Sequence, residues 1–139
     1  MRIWLCYIGK PRDPHLNAVA AEYLKRASRW VRCEMREIDP RRDEFWSRYC
    51  DARKILLEPA GRSLDSAAFR EMMREAELRG QDLAFLVGGP EGFPAGWRER
   101  ADVLWSLSAL TLPHELARVI VAEQIYRALA GLHGHPYPR

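Results

Sequence analysis

The chain has 139 residues, 47% of them hydrophobic and 29% charged, which fits one soluble globular domain and excludes disordered, fibrous and collagen-like classes. No apolar run approaches the roughly 20 residues of a membrane span, and the chain enters a strand pattern directly, so neither an anchor nor a signal peptide is expected and the protein is assigned to the cytoplasm. The formal charge of +3 is unevenly spread: residues 1–54 carry 13 Lys/Arg against 8 Asp/Glu, residues 55–139 carry 9 against 11, and most of the cations are arginine. A basic, arginine-rich half admits nucleic acid as a partner, though a solvated basic face explains the same count.

Ile3–Ile8 reads as a short apolar strand closed by Gly9. Asp13-Pro14 then supplies an N-cap followed by a proline in the first helical turn. Leu16, Val19, Ala20, Tyr23, Leu24, Ala27 and Trp30 recur at three- and four-residue spacing and predict an amphipathic helix, with Lys25, Arg26 and Arg29 on its outer face. Val31, Cys33 and Met35 alternate with charged residues, a half-exposed strand ending near Ile38. Residues 39–53 mix Arg41, Arg42 and Arg48 with Phe45, Trp46 and Tyr49 in a short helix. Those side chains either meet RNA or pack on the core. Ile55–Leu57 is a third strand, and 58–62 is read as a loop beyond it.

Asp65 or Ser66 caps a helix whose buried stripe is Phe69, Met72, Met73 and Ala76, stopped by Gly80. Asp82–Val87 lacks polar alternation after its first residue, as a central strand covered on both faces does. Gly88-Gly89-Pro90-Glu91-Gly92 follows as a loop, then a short helix over 94–101 and a fifth strand over 103–107. The stretch Leu107–Leu112 carries no formal charge. It leads through Pro113-His114 into the longest helical pattern, from Glu115 to the glycines at 131 and 134.

Alternating strands and helices predict an α/β layered fold with a mainly parallel sheet sandwiched by helices, in which ligands bind at the carboxyl ends of strands. The loops after Leu57, Val87 and Leu107 meet there. The glycine loop lacks the spacing of a dinucleotide or phosphate-binding loop, but its glycines permit close backbone approach to a ligand. The 107–112 run offers backbone groups and leucines to a flat ring such as adenine, and is equally compatible with a plain core strand. His114, at a helix start beside two pocket loops, suits a base, a hydrogen-bond partner or a cap. The cysteines Cys6, Cys33 and Cys50 are odd in number and widely spaced, and His133 and His135 have no evident third ligand, so neither disulfides nor a metal is expected.

Taken together and in order, the 88–92 loop, the segment Trp105–His114, Arg118-Val119, Ala122–Ala128 and the tail His135-Pro136-Tyr137 resemble the RlmH family, bacterial large-subunit rRNA pseudouridine N3-methyltransferases of the SPOUT superfamily. The likeness is dense from Asp82 to Arg139 and looser over the N-terminal strand and helix. It implies a single domain over 1–139 with a C-terminal trefoil knot and a S-adenosylmethionine (SAM) site within about 82–139. Pattern reasoning alone gives an unknotted sheet. It places cofactor contacts on Leu57, Gly89, Leu107, Ser108, Ala109, Leu110, Thr111 and Leu112. It further implies a homodimer in which the tail completes the neighbouring site, and 23S rRNA of the ribosome as substrate. On that basis His114 is the expected base or orienting group, Arg139 the stabiliser of negative charge and Tyr137 the residue that positions the base. Two departures stand out: the 40–53 region is shorter than is usual in the family, and Pro138 replaces a second tail histidine. The rival readings are a methyltransferase of the same superfamily acting on tRNA, and an RNA- or ribosome-binding protein without catalysis.

Overall fold

A computed structural model of the chain describes residues 1–138; Arg139 lies outside the described residues. Its elements are β1 (Arg2–Ile8), α1 (Pro14–Ala27), β2 (Arg32–Ile38), α2 (Glu44–Arg48), β3 (Arg53–Ser63), α3 (Ser66–Arg79), β4 (Leu83–Val87), α4 (Trp97–Arg100), β5 (Val103–Ser106) and α5 (His114–Leu132). The five strands form one sheet in the order β2-β1-β4-β3-β5, every pairing parallel. The α/β fold with a parallel sheet between helices is thus as the sequence predicts.

Period-two alternation divides the core. Ile3, Leu5 and Tyr7 face the layer of α1, α5 and α3, together with Phe69, Phe85 and Trp105. Cys6, Ile8, Leu56, Ala84 and Leu86 face Phe45, Trp46, Tyr49 and Trp97 of the opposite layer. The aromatics of residues 39–53 therefore belong to the core, while Arg41, Arg42 and Arg48 stay exposed. All five residues of β4 are buried, as its unbroken apolar run requires.

The helix signals act as read. The Asp13 carboxylate accepts from the N–H groups of His15 and Leu16 at 2.9 and 3.2 Å. At the end of α3, Gly80 adopts φ +63° and Gln81 N donates to Ala76 O at 2.8 Å, closing the last turn.

Three boundaries differ from expectation. Residues 58–62 are not a free loop but continue β3, whose register on β5 jumps from Leu57↔Trp105 to Arg62↔Trp105. Pro59 cannot donate to a ladder, and Gly61 lies so close to β5 that a Cβ would stand 2.5 Å from Leu104 O. The chain bulges at the proline and is readmitted at the glycine. The first helix stops at Ala27, three residues before Trp30, and Val19 of its expected apolar face is 43% exposed. Finally, α5 runs through Gly131, where a side chain would press on Arg70 and Pro138, at 3.3 and 3.6 Å from its Cβ. That glycine makes room for a neighbouring helix and the tail rather than ending a helix.

Among the described residues no helix is long and apolar enough to cross a membrane.

Candidate functional site

A cavity of about 480 Å³ opens at the carboxyl ends of β4 and β5 and beside the bulge within β3, within the usual range for small-molecule sites. Three segments build it: Leu57–Pro59 at the β3 bulge, Gly88–Phe93 after β4, and the stretch from Leu107 to His114. Of the residues assigned to cofactor binding, Leu57, Gly89, Leu107, Ser108, Leu110, Thr111 and Leu112 line it, and Ala109 does not.

Each loop has a local reason for its shape. Gly92 takes φ +76° and its N–H donates to Gly89 O at 2.9 Å, folding the glycine loop back on itself. A Cβ on Gly89 would sit 3.1 Å from Ile8 O. The demand for glycine there thus comes from β1 behind the loop, a constraint the sequence pattern did not reveal. In the third loop, Ser106 Oγ donates to Ser108 O at 3.1 Å, and Ser108 Oγ accepts from Leu110 N at 2.9 Å. The uncharged run is therefore held by its own hydroxyls, with Leu110 left 72% exposed at the mouth.

His114 lines the cavity at the first residue of α5, with Pro113 as the N-cap. One residue on, Glu115 Oε1 accepts from the backbone N–H groups of Arg12 and Asp13 at 2.8 and 3.3 Å. The Arg12 N–H, ahead of Asp13 and of nearby Arg118, holds this carboxyl below the usual carboxylate range. The start of α5 is so tied to the entry of α1.

Two features escaped the sequence reading. The first is the charge in the cavity: among the described residues its only lining side chains with a formal charge are Glu58 and Arg98, paired through Oε2 and Nε. Lying in segments read as loop and short helix, they carry no spacing signal. The second is Arg118, 1% exposed, whose guanidinium carbon stands 3.6 Å from the centre of the Tyr7 ring. Its Nη1 donates to Asn17 Oδ1 at 3.3 Å, while Nε and Nη2 have no partner among the described residues. A signal existed, because position 118 falls on the apolar stripe with Val121, Ala122 and Ile125.

Tyr137 is not at this cavity. Its hydroxyl donates to Glu123 Oε2 at 2.9 Å, its ring lies 4.5 Å from that of Tyr126, and Arg127 grips the same carboxylate at 3.0 Å. Burial first, then the hydrogen bonds to Tyr23 and Glu123, push its hydroxyl pKa up. Glu123 lies nine residues along α5 from His114, about 13 Å at the helical rise. The third expected catalytic residue, Arg139, lies outside the described residues. His133 Nε2 donates to Glu77 Oε2 at 2.9 Å, and its ring stacks on Trp30. Among the described residues no cluster of three or more potential metal ligands occurs.

A parallel α/β sheet with a glycine-containing pocket at its carboxyl edge is the architecture in which open α/β proteins take up ligands. The family model described as "Predicted SPOUT methyltransferase" matches residues 1–138, and the chain belongs to that SPOUT methyltransferase family. It is 56% identical over 139 residues to the "Ribosomal RNA large subunit methyltransferase H" of Solibacter usitatus (strain Ellin6076), covering all of both chains. It is 38% identical to the protein of the same name from Thioalkalivibrio sulfidiphilus (strain HL-EbGR7), over all of this chain and 99% of that one. The fold is shared with a probable methyltransferase from Bordetella pertussis Tohama I, at a TM-score of 0.61 and 13% identity over 92% of this chain and 96% of that one. It is shared also with an AdoMet-bound rRNA methyltransferase from Sinorhizobium meliloti, at 0.57 and 13% over 91% and 56%.

Proposed function

We propose that this chain is a SAM-dependent methyltransferase of large-subunit ribosomal RNA, acting in the cytoplasm on N3 of a pseudouridine in a hairpin loop of 23S rRNA. The observation that carries the reading is the coincidence of this cavity with a full-length match to relatives named for that activity. The cavity fits the cofactor: leucines and Val87 offer apolar walls for a flat ring, backbone at the glycine loop offers hydrogen bonds, and Glu58 offers an anion for a cation.

SAM supplies a methyl group on a sulfonium, open to in-line attack by a nucleophile. The chain's work is to place the attacking nitrogen and to see its proton removed. His114, at the cavity edge, accepts or orients that proton. Arg139 stabilises the negative charge left on the base or a nearby phosphate. The exposed Arg26 of α1 and Arg29 just beyond its end add sequence-independent attraction for RNA, which weakens with salt.

The position of Tyr137 supports a homodimer. Anchored on Glu123, far along α5 from its own His114, the tail is better placed to serve a second copy, where Tyr137 positions the base beside it. Exposed Val19 and Leu116, at 43% and 42%, supply apolar surface for that copy. The return of the chain from edge strand β5 to α5, packed on α1 near the centre of the sheet, supports a C-terminal trefoil knot within a single domain over 1–139.

The test is incubation with labelled SAM and either undermethylated ribosomes or free tRNA, followed by mapping of the modified nucleotide. Label at a 23S rRNA pseudouridine is expected. Label in tRNA redirects the substrate, and no label with either makes the chain a binding protein only. His114→Ala and Arg139→Ala each lower transfer more than SAM affinity; full turnover by both sinks their assignment.

A further inference from the structure

Among the described residues, Glu58 and Arg98 are the only formally charged side chains that line the cavity. We propose that Glu58 reads the positive charge of the sulfonium cofactor and that Arg98 is the cation that keeps its place when the cofactor is absent. The proposal rests on the reading of this cavity as a SAM site.

The two partners are not equivalent. The Glu58 side chain is 14% exposed and follows Leu57 on β3, fixed on its other side by Pro59, with Oε1 3.4 Å from Ala60 N. Arg98 is 49% exposed on the four-residue α4 and lies 5.8 Å from the face of Phe93, a second cavity residue. The carboxylate is thus a fixed, largely desolvated anion, and the guanidinium a long arm that can withdraw along Phe93 into water. A carboxylate in such a place is costly without a cation. Arg98 meets that need in the free protein, and a cation arriving in the cavity meets it equally well.

The chemistry of the cofactor makes this a discriminating exchange. SAM carries a sulfonium, an ammonium and a carboxylate, a net charge of +1. Once the methyl group has left, the sulfur of S-adenosylhomocysteine is a neutral thioether and the net charge is zero. SAM can displace Arg98 from Glu58 through its sulfonium; the product cannot, and binds with the ion pair closed. Methyl transfer therefore removes the charge that held Arg98 away, and return of the arginine favours product release.

Calorimetric titration of the full chain with SAM and with S-adenosylhomocysteine tests this. Glu58→Gln, nearly isosteric, is expected to weaken SAM about tenfold or more, the scale of one charge-assisted hydrogen bond, and the product less than about threefold on the same scale. Arg98→Gln is expected to tighten SAM by about threefold, since a competitor for Glu58 is gone, and to leave the product unchanged. Equal weakening of both ligands by Glu58→Gln overturns the proposal, as does weaker SAM binding by Arg98→Gln. Should Glu58→Gln fail to fold by circular dichroism, the half-exposed Arg98 variant decides alone. A wild-type chain that binds neither ligand refutes the SAM reading itself. Normal SAM binding with an unmoved SAM-to-product ratio refutes only the charge-reading role.

Discussion

Arg118 invites replacement by a residue that should stabilise the protein. The residue is 1% exposed, two of its nitrogens lack partners among the described residues, and the single hydrogen bond to Asn17 is a long 3.3 Å. The favourable side consists of a desolvated cation–π contact with Tyr7 of about 2 kcal/mol and a hydrogen bond of about 1 kcal/mol, with Glu115 and Glu37 adding distant attraction. Against these stand a desolvation cost of several kcal/mol for the ion and about 1–3 kcal/mol for each unsatisfied donor. The cost wins. Methionine fills much of the same volume and offers sulfur to the Tyr7 ring. Arg118→Met should therefore raise the unfolding free energy by about 2 kcal/mol, as replacement of buried ionic groups by packed apolar ones often does. Urea unfolding read by tryptophan fluorescence measures it directly. A fall of 1 kcal/mol or more on this scale would show that the charge is properly compensated and the ledger wrong. Arg118→Ala, which leaves a void, should not share the gain.

Gly61→Ala places a Cβ 2.5 Å from the Leu104 carbonyl oxygen, a backbone group that cannot step aside. A loss of about 3 kcal/mol is expected, measured by the same unfolding assay; a loss below about 0.5 kcal/mol would mean the bulge simply relaxes. Tyr137→Phe keeps the ring on Tyr126 but removes the bond to Glu123. It should cost about 1–2 kcal/mol, and an unchanged melting temperature would deny the tail its anchor. The buried thiols give a pH signature. Burial pushes Cys6 and Cys33 up to about 12 from 9.0, so the unfolded chain releases these protons first and stability falls as pH rises above 9. At pH 10 the two together should cost about 3 kcal/mol relative to pH 8. Cys33→Ala should remove about half of that fall, and equal slopes would refute it. Native protein at pH 8 should react with a thiol reagent at the exposed Cys50 and not at the other two.

Much of the fold was legible because its signals are local. Asp13-Pro14, Gly80 and the unbroken apolar run of β4 each act within a few residues, and the structure uses them as periodicity and capping predict. What failed was set by distant neighbours. Residues 58–62 look like a loop because Pro59 and Gly61 are loop formers, yet β5 lies alongside and captures them as strand. Gly131 looks like a stop, yet it is a contact with Arg70 and Pro138. The cavity was legible through one general rule, that strand ends in parallel sheets bind ligands. The carboxylate inside it was not, since no residue spacing announces that Glu58 and Arg98, 40 positions apart, will meet.

The carboxylate of Glu115 reaches back 103 positions to satisfy the backbone of Arg12, and α5 covers the apolar side of α1. A chain is made from its N-terminus, so β1, α1 and β2 must wait through the synthesis of nearly everything else before Ala20, Leu24 and Ala27 find their cover. The sheet waits as well, because β1 takes β4, not a nearer strand, as its second neighbour. Such long-range pairing makes folding slow, and leaves a half-made chain sticky along its first helix. The protein's greatest exposure to aggregation therefore falls during its own translation, and it ends with the last helix to emerge.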